Sequence, residues 1–174
     1  MKNSAKQPRY TVLTTVVISV VGMILSVYAY HVETSIHSDP TFRALCDISA
    51  KMSCSKVFSS RYGTGFGILE YIVGKDSFLN QPNSVYGMIF YIQSAILATT
   101  MTYELVLVQL ISSILAGLGC VYLAYILIYI LDDFCVVCVS TYVINAILLI
   151  CAFLKYRAIQ NVQVSKKNKT DKMK

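Results

Sequence analysis

The sequence predicts an all-α integral membrane protein: a bundle of four transmembrane helices with an exoplasmic loop that contains short helices. Three observations carry this. Apolar residues make up 56% of the 174 and charged residues 14%, against roughly 25% charged in a soluble domain. The few charges are clustered along the chain. Between the clusters lie runs without Asp, Glu, Lys or Arg, each long enough to cross a ~30 Å hydrocarbon core as a helix. This composition excludes a soluble globular fold and a disordered chain. The net charge of +6 is not spread over a face, which argues against nucleic-acid binding. Six cysteines are too few to staple a small scaffold and enough for redox or metal chemistry.

The first run, Tyr10–Val32, has 23 residues and predicts a helix at about 11–30. A signal-peptide core is usually ~7–15 residues, and no small-x-small site follows Tyr28-Ala29-Tyr30-His31, so the run reads as a retained anchor. Ser77–Tyr103 (27 residues) predicts a second helix at 83–103, and Leu105–Leu131 (27 residues) a third at 105–131. Phe134–Leu154 (21 residues) predicts a fourth at 134–154. Helix is the expected form because lipid offers the backbone no hydrogen bonds. The alternating ~10-residue segments of a barrel are missing. The chain therefore divides into a cytosolic N-terminal stretch 1–10, a membrane domain 11–154 that includes a loop at 31–82, and a basic tail 155–174.

Lys2, Lys6 and Arg9 precede the first run, and Lys155, Arg157, Lys166, Lys167, Lys169, Lys172 and Lys174 follow the fourth. Residues 31–76 carry five basic and five acidic side chains. The positive-inside rule then places both termini in the cytosol. The tail reads as a solvated juxtamembrane segment near anionic lipid rather than a nucleic-acid arm. The sequon Asn168-Lys169-Thr170 falls on the cytosolic side and is expected to stay unmodified.

Cys46 and Cys54 in the loop share the exoplasmic face with Cys135 and Cys138 at the mouth of the fourth helix. A disulfide is chemically accessible there. Cys120 and Cys151 lie inside spans and read as packing. The Cys135-Val136-Val137-Cys138 spacing puts two sulfurs on one helical face, close enough to bridge. The helix N-terminus favours a thiolate, and Asp132 and Asp133 oppose it. Cys46 and Cys54 could pair across one loop. Two such pairs at one face suggest thiol–disulfide exchange between them. A four-cysteine zinc site and two static structural disulfides are the competing readings.

Cys138 lies one turn into a membrane helix, which points to an apolar reaction partner. Tyr142 and Asn145 follow on the same face, and Asn83 opens the second helix at matching depth. Asn83 and Tyr142 could hydrogen-bond a polar oxygen on a greasy ligand, or could join helices; for Asn145 the second reading is preferred. Tyr122, Tyr125 and Tyr129 read as packing, and Tyr10, Tyr28, Tyr30 and Tyr156 as an interface belt. Gly63-Thr-Gly65-Phe-Gly67 lacks dinucleotide-binding spacing and reads as a flexible turn. His31 and His37 are too few and too separated for a metal site, and no metal is expected.

Several segments together resemble the vitamin K epoxide reductase family. They are Ala44-Leu-Cys46-Asp47, Ser53-Cys54-Ser55-Lys56-Val57-Phe58-Ser59-Ser60-Arg61, the 63–67 glycines, Leu79-Asn80-Gln81-Pro82-Asn83-Ser84, and Asp133-Phe134-Cys135-Val-Val-Cys138 with Thr141-Tyr142. They occur in order over about 28–145. Some of them lean towards the family's main enzyme and others towards its like-1 paralogue. Two departures stand out: Tyr62 where the family usually has Trp, and Thr64 where Arg is common.

The resemblance implies a four-helix bundle of the endoplasmic reticulum membrane capped by a lumenal loop. It implies reduction of vitamin K 2,3-epoxide to the quinone and of the quinone to the hydroquinone. Cys135–Cys138 would be the active-site disulfide, with Cys138 attacking substrate and Cys135 resolving the adduct. Cys46–Cys54 would relay electrons from a lumenal thioredoxin-like partner. Asn83 and Tyr142 would hydrogen-bond the naphthoquinone oxygens, and Val57, Phe58, Tyr86, Phe90, Leu123 and Leu127 would wall the pocket. Warfarin-type inhibitors would compete there. No tightly bound cofactor is implied beyond the quinone substrate and the redox-active disulfides. Two alternatives use the same residues: a quinone-coupled catalyst that forms disulfides in lumenal proteins, and a non-enzymatic scaffold stapled by static disulfides.

Overall fold

The computed structural model describes residues 9–171 apart from 40 and 50, with side chains from Tyr10 to Val164. The basic residues expected at 1–9 and 166–174, and the sequon at 168–170, lie outside the described side chains. The helices are α1 (Arg9–Ser38), α2 (Cys54–Phe58), α3 (Leu69–Val73), α4 (Asn83–Leu97), α5 (Tyr103–Tyr129) and α6 (Val136–Asp171). No strand longer than an isolated bridge forms among the described residues.

Three helices are long and apolar enough to cross a membrane: Tyr10–Ser38, Tyr103–Tyr129 and Val136–Val164. The full second span expected at 83–103 is corrected. α4 has 15 residues, a rise of only ~22 Å. The charge-free run continues beyond it, but Ala98-Thr-Thr-Met-Thr102 leaves the helix. Three threonines in five residues explain the stop, since their branched, hydroxylated side chains compete with the helical backbone. α1 also runs further than expected, to Ser38, and moves the start of the long connection from 31 to 39. Thr34 and Ser38 hydroxyls donate back to the carbonyls of Tyr30 and Thr34, and keep that polar end helical. α6 likewise continues past 154.

The bundle is polar and small inside and apolar outside. On α1, Thr11, Thr15, Ser19, Ser26 and Ala29 are buried, while Leu13, Val17, Val20, Ile24 and Val27 face outward. Small residues let helix backbones approach, and lipid takes the large apolar side chains. Gly22 shows the tightness, because a Cβ there would lie 2.5 Å from the Tyr91 ring on α4. Ile18 and Met23 of α1 pack with Ile144 and Leu148 of α6, and Val32 packs with Cys135 and Val137. The order runs oppositely on the two helices, so α1 and α6 are antiparallel. The start of α1 and the end of α6 therefore lie at the same end of the bundle.

Polar contacts between helices serve definite groups. Tyr91 Oη donates to Asn145 Oδ1 at 3.0 Å, and Asn145 Nδ2 donates to Cys120 Sγ at 3.0 Å, joining α4, α6 and α5. Asn145 thus takes the helix-joining role preferred for it. Lys155 of α6 is only 3% exposed. Its Nζ donates to the carbonyls of Leu97 and Ala98 and to Gln109 Oε1 (3.0 Å). One buried cation therefore satisfies the carbonyl end of the short α4. Lys155→Met leaves those acceptors unpaired. It is expected to destabilise the protein by about 1–3 kcal/mol, read as a lowered unfolding midpoint in detergent.

Candidate active site

The site begins at the turn between α5 and α6. Asp132 adopts a left-handed backbone (φ 46°), which short Asp side chains tolerate, and the chain reverses there. Its neighbour Asp133 is buried. Asp133 Oδ1 accepts the backbone N–H of Phe134 (2.8 Å) and of Ser53 (3.2 Å), and Lys56 Nζ sits 2.9 Å from Oδ2. Phe134 N–H also donates to the Lys51 carbonyl at 3.0 Å. Burial works against the Asp133 charge, but Lys56 and the two N–H donors outweigh it and hold the carboxyl below its ordinary range. The expected opposition of Asp133 to a nearby thiolate is thus blunted, because its charge is already paired. Asp132 is exposed and pairs with Lys51 at 3.2 Å.

The same contacts place the loop cysteines. Ser53 is the N-cap of α2, and its hydroxyl accepts the Lys56 N–H. That hydroxyl donates to Asp47 Oδ1 (2.9 Å), which also accepts the Ser55 N–H (3.0 Å). Asp47 Oδ2 accepts the Ala44 N–H at 3.0 Å. Burial opposes the Asp47 charge too, and these donors hold it low. Asp47 therefore folds the Cys46 turn onto α2, and Asp133 fastens α2 to the α5–α6 turn.

Four sulfurs fall into a row. Cys46 and Cys54 form one disulfide (Cα–Cα 5.7 Å), and Cys135 and Cys138 another (Cα–Cα 5.2 Å). Cys54 Sγ lies 3.9 Å from Cys135 Sγ, and both residues are 0% exposed. Cys46 is half-exposed beside Leu45, which is 92% exposed. At the other end Cys138 faces a cavity that Cys135 does not line. Cys135 Sγ accepts the Cys138 backbone N–H at 3.2 Å, so this sulfur caps α6.

That cavity measures about 650 Å³ and is mostly apolar. Val57, Phe58, Asn83, Tyr86, Phe90, Leu123, Leu127, Cys138 and Tyr142 all line it. Its roof is the 63–67 segment, which is tied down by specific contacts. Gly65, Phe66 and Gly67 take φ of 53°, 57° and 69°, and a Cβ at Gly67 would lie 2.5 Å from the Tyr62 ring. The Phe66 N–H donates to Asn83 Oδ1 (2.9 Å) and its carbonyl accepts from Tyr122 Oη (3.2 Å). The Phe66 ring also packs on Tyr86, with centroids 5.4 Å apart. Asn83 Nδ2 donates to the Tyr62 carbonyl at 2.6 Å, which leaves one amide hydrogen for anything in the cavity. The Tyr142 hydroxyl has no hydrogen-bond partner among the described residues.

The sequence profile of the vitamin K epoxide reductase family matches residues 13–153, from α1 to the middle of α6. The chain belongs to the vitamin K epoxide reductase family. Vitamin K epoxide reductase complex subunit 1 of Mus musculus is 43% identical over 143 residues, covering 82% of this chain and 89% of the mouse protein. The Rattus norvegicus protein of the same name is 44% identical over 134 residues, covering 77% and 83%.

Sequence reading of this vitamin K epoxide reductase family member missed four features of the site. Phe66 was hidden in a segment read as a loose turn, and Tyr122 in a packing stripe; both hold the roof. Cys120, read as packing, lines the cavity. Glu33 also lines it, 3% exposed, with Oε2 accepting from Ser84 Oγ at 3.0 Å and Oε1 unpartnered. Its signal was present in the sequence: it is the residue that ends the first charge-free run.

Two expectations follow from this geometry. Asp133 has a lowered folded-state value, so its stabilisation is fully present above the ordinary value of ~3.9 and is lost as pH falls through the folded one. Asp133→Asn is expected to lower the unfolding midpoint at pH 7 by roughly 1 kcal/mol equivalent, and the gap from wild type should narrow as pH falls below the ordinary carboxylate value and close below the folded one. Separately, a Cys46→Ala/Cys138→Ala double variant leaves Cys54 and Cys135 as sole neighbours. Mild oxidation is expected to join them, read as a Cys54–Cys135 cross-linked peptide by non-reducing mass spectrometry.

Proposed function

We propose that this protein is a membrane thiol–disulfide oxidoreductase that reduces vitamin K 2,3-epoxide to the quinone and the quinone to the hydroquinone. The observation that carries the reading is the row of four sulfurs from a half-exposed loop cysteine to an apolar cavity. Family membership supplies the substrate class.

Electrons enter from a lumenal thioredoxin-like dithiol. One partner thiolate attacks Cys46, and Cys54 leaves as a thiolate. The second partner thiolate closes the partner's own disulfide and releases Cys46. Cys54 then attacks Cys135 across the 3.9 Å gap and expels Cys138 as a thiolate. Cys46 attacks Cys54 and frees Cys135. The net result is one partner disulfide formed and the Cys135/Cys138 pair reduced.

Cys138 then attacks the substrate carbon in the cavity, and Cys135 attacks the resulting sulfur adduct. Epoxide plus dithiol gives quinone, water and disulfide; quinone plus dithiol gives hydroquinone and disulfide. Tyr142 and the remaining Asn83 amide hydrogen hold the ligand oxygens. The apolar wall excludes water and strengthens those bonds. Warfarin-type inhibitors compete for the same cavity, and Tyr62 and Thr64 tune their fit from the roof segment. The long connection faces the lumen of the endoplasmic reticulum, and both termini face the cytosol.

The test is turnover of vitamin K epoxide by detergent-purified protein supplied with dithiothreitol. Wild type is expected to form quinone, and Cys138→Ala to fall by at least about a hundredfold. No product from a folded, reducible wild-type sample would overturn the reading.

A further inference from the structure

The four-sulfur relay leaves one group at its entrance unexplained. Tyr28 of α1 was expected among the aromatic residues of the membrane interface. It lies instead half-buried in the cluster around Cys54 and Cys135. Its phenol oxygen accepts the Leu45 backbone N–H at 3.1 Å, and its O–H donates to Cys46 Sγ at 3.7 Å. The first bond fixes the oxygen, and the second therefore has a set direction. Of the described side chains, Tyr28 is the one hydrogen-bonded to this sulfur.

We infer that Tyr28 is a positioning residue of the relay, whose hydroxyl stabilises Cys46 as a thiolate each time the electron transfer passes through it. The inference rests on the relay proposed above. In one cycle the Cys46 thiolate takes part in two steps. It is the leaving group when the partner closes its own disulfide, and the nucleophile that attacks Cys54 to release Cys135. A hydrogen bond to a thiolate favours the charged form and so helps both steps. Among the described residues nothing else nearby does this. The next residue, Asp47, is acidic, and its charge is taken up by Ser53, Ser55 and Ala44. α2 offers Cys54 and the Ser55 hydroxyl, and that hydroxyl accepts the Ala44 N–H. α6 offers Cys135, which caps its own helix.

The experiment uses the reduced full chain in detergent. The rate of Cys46 alkylation by iodoacetamide is followed against pH by peptide mass spectrometry. Tyr28→Phe is expected to label about tenfold more slowly at pH 7 and to shift the profile to higher pH. Epoxide turnover driven by reduced thioredoxin should fall by about the same factor. A protein carrying 3-fluorotyrosine at position 28, a stronger donor of almost the same shape, should shift the profile to lower pH. It decides the matter if Tyr28→Phe does not fold. Profiles of both proteins superimposed on wild type overturn the inference. If Cys46→Ala keeps full thioredoxin-driven turnover, the relay itself falls, and the inference with it. If Cys46→Ala is inactive while Tyr28→Phe matches wild type, the inference alone fails.

Discussion

A single buried carboxylate holds this site together. Asp133 sits in the turn between two long helices, yet its bonds reach into the connection from α1, some eighty residues earlier in the chain. Two sulfurs can exchange only when they approach closely and in line. Neither α2 nor the α5–α6 turn could secure that approach alone, because α2 has five residues and short helices are marginal by themselves. The carboxylate binds the N-cap residue and Lys56 of α2 while its own backbone leads directly into Cys135. The 3.9 Å spacing of Cys54 and Cys135 follows from those contacts.

The membrane setting explains the rest of the architecture. A soluble bundle would place its largest apolar side chains inside. Here threonines, serines and glycine lie between α1 and its neighbours, and isoleucines and valines face lipid. The cavity runs between the helices beneath the 63–67 segment, from Leu131 and Cys138 at one end to Ser112 and Asn145 at the other. Its roof has no long helix to support it, only the short 3-10 turn Gly65–Gly67. Backbone bonds to Gln81 and Asn83 tie that turn to the start of α4, and one side-chain amide, Asn83, and one phenol, Tyr122, each bond the Phe66 backbone.

Much of this was legible in the sequence, for physical reasons. Charge-free length identified α1, α5 and α6, because lipid imposes a minimum helix length that few other environments impose. It misjudged α4, because a threonine-rich turn is as free of charge as a helix. The cysteine spacings marked which residues to examine, but the sulfur order depends on Asp47 and Asp133, whose partners are distant in the chain. Asn83 was flagged by depth and by the family resemblance, both as a ligand-facing residue. Its larger role, bracing Tyr62 and Phe66, is a tertiary fact. Tyr28 was misread because tyrosines near a helix end usually mark the interface, and nothing local distinguishes one that turns inward.

The shortness of α4 has a consequence for the surrounding lipid. Ile89, Ile92 and Ile96 present an apolar edge that stops several ångströms before the edges of the neighbouring helices. Acyl chains beside this edge meet the threonine-rich turn, with the Lys155 cation just behind it. Thinning the bilayer on one side of the bundle matches that profile. Thinning costs a fraction of a kcal/mol per ångström, and less in a membrane that is already thin. One truncated helix thus makes a thinner bilayer the better fit on that side of the bundle.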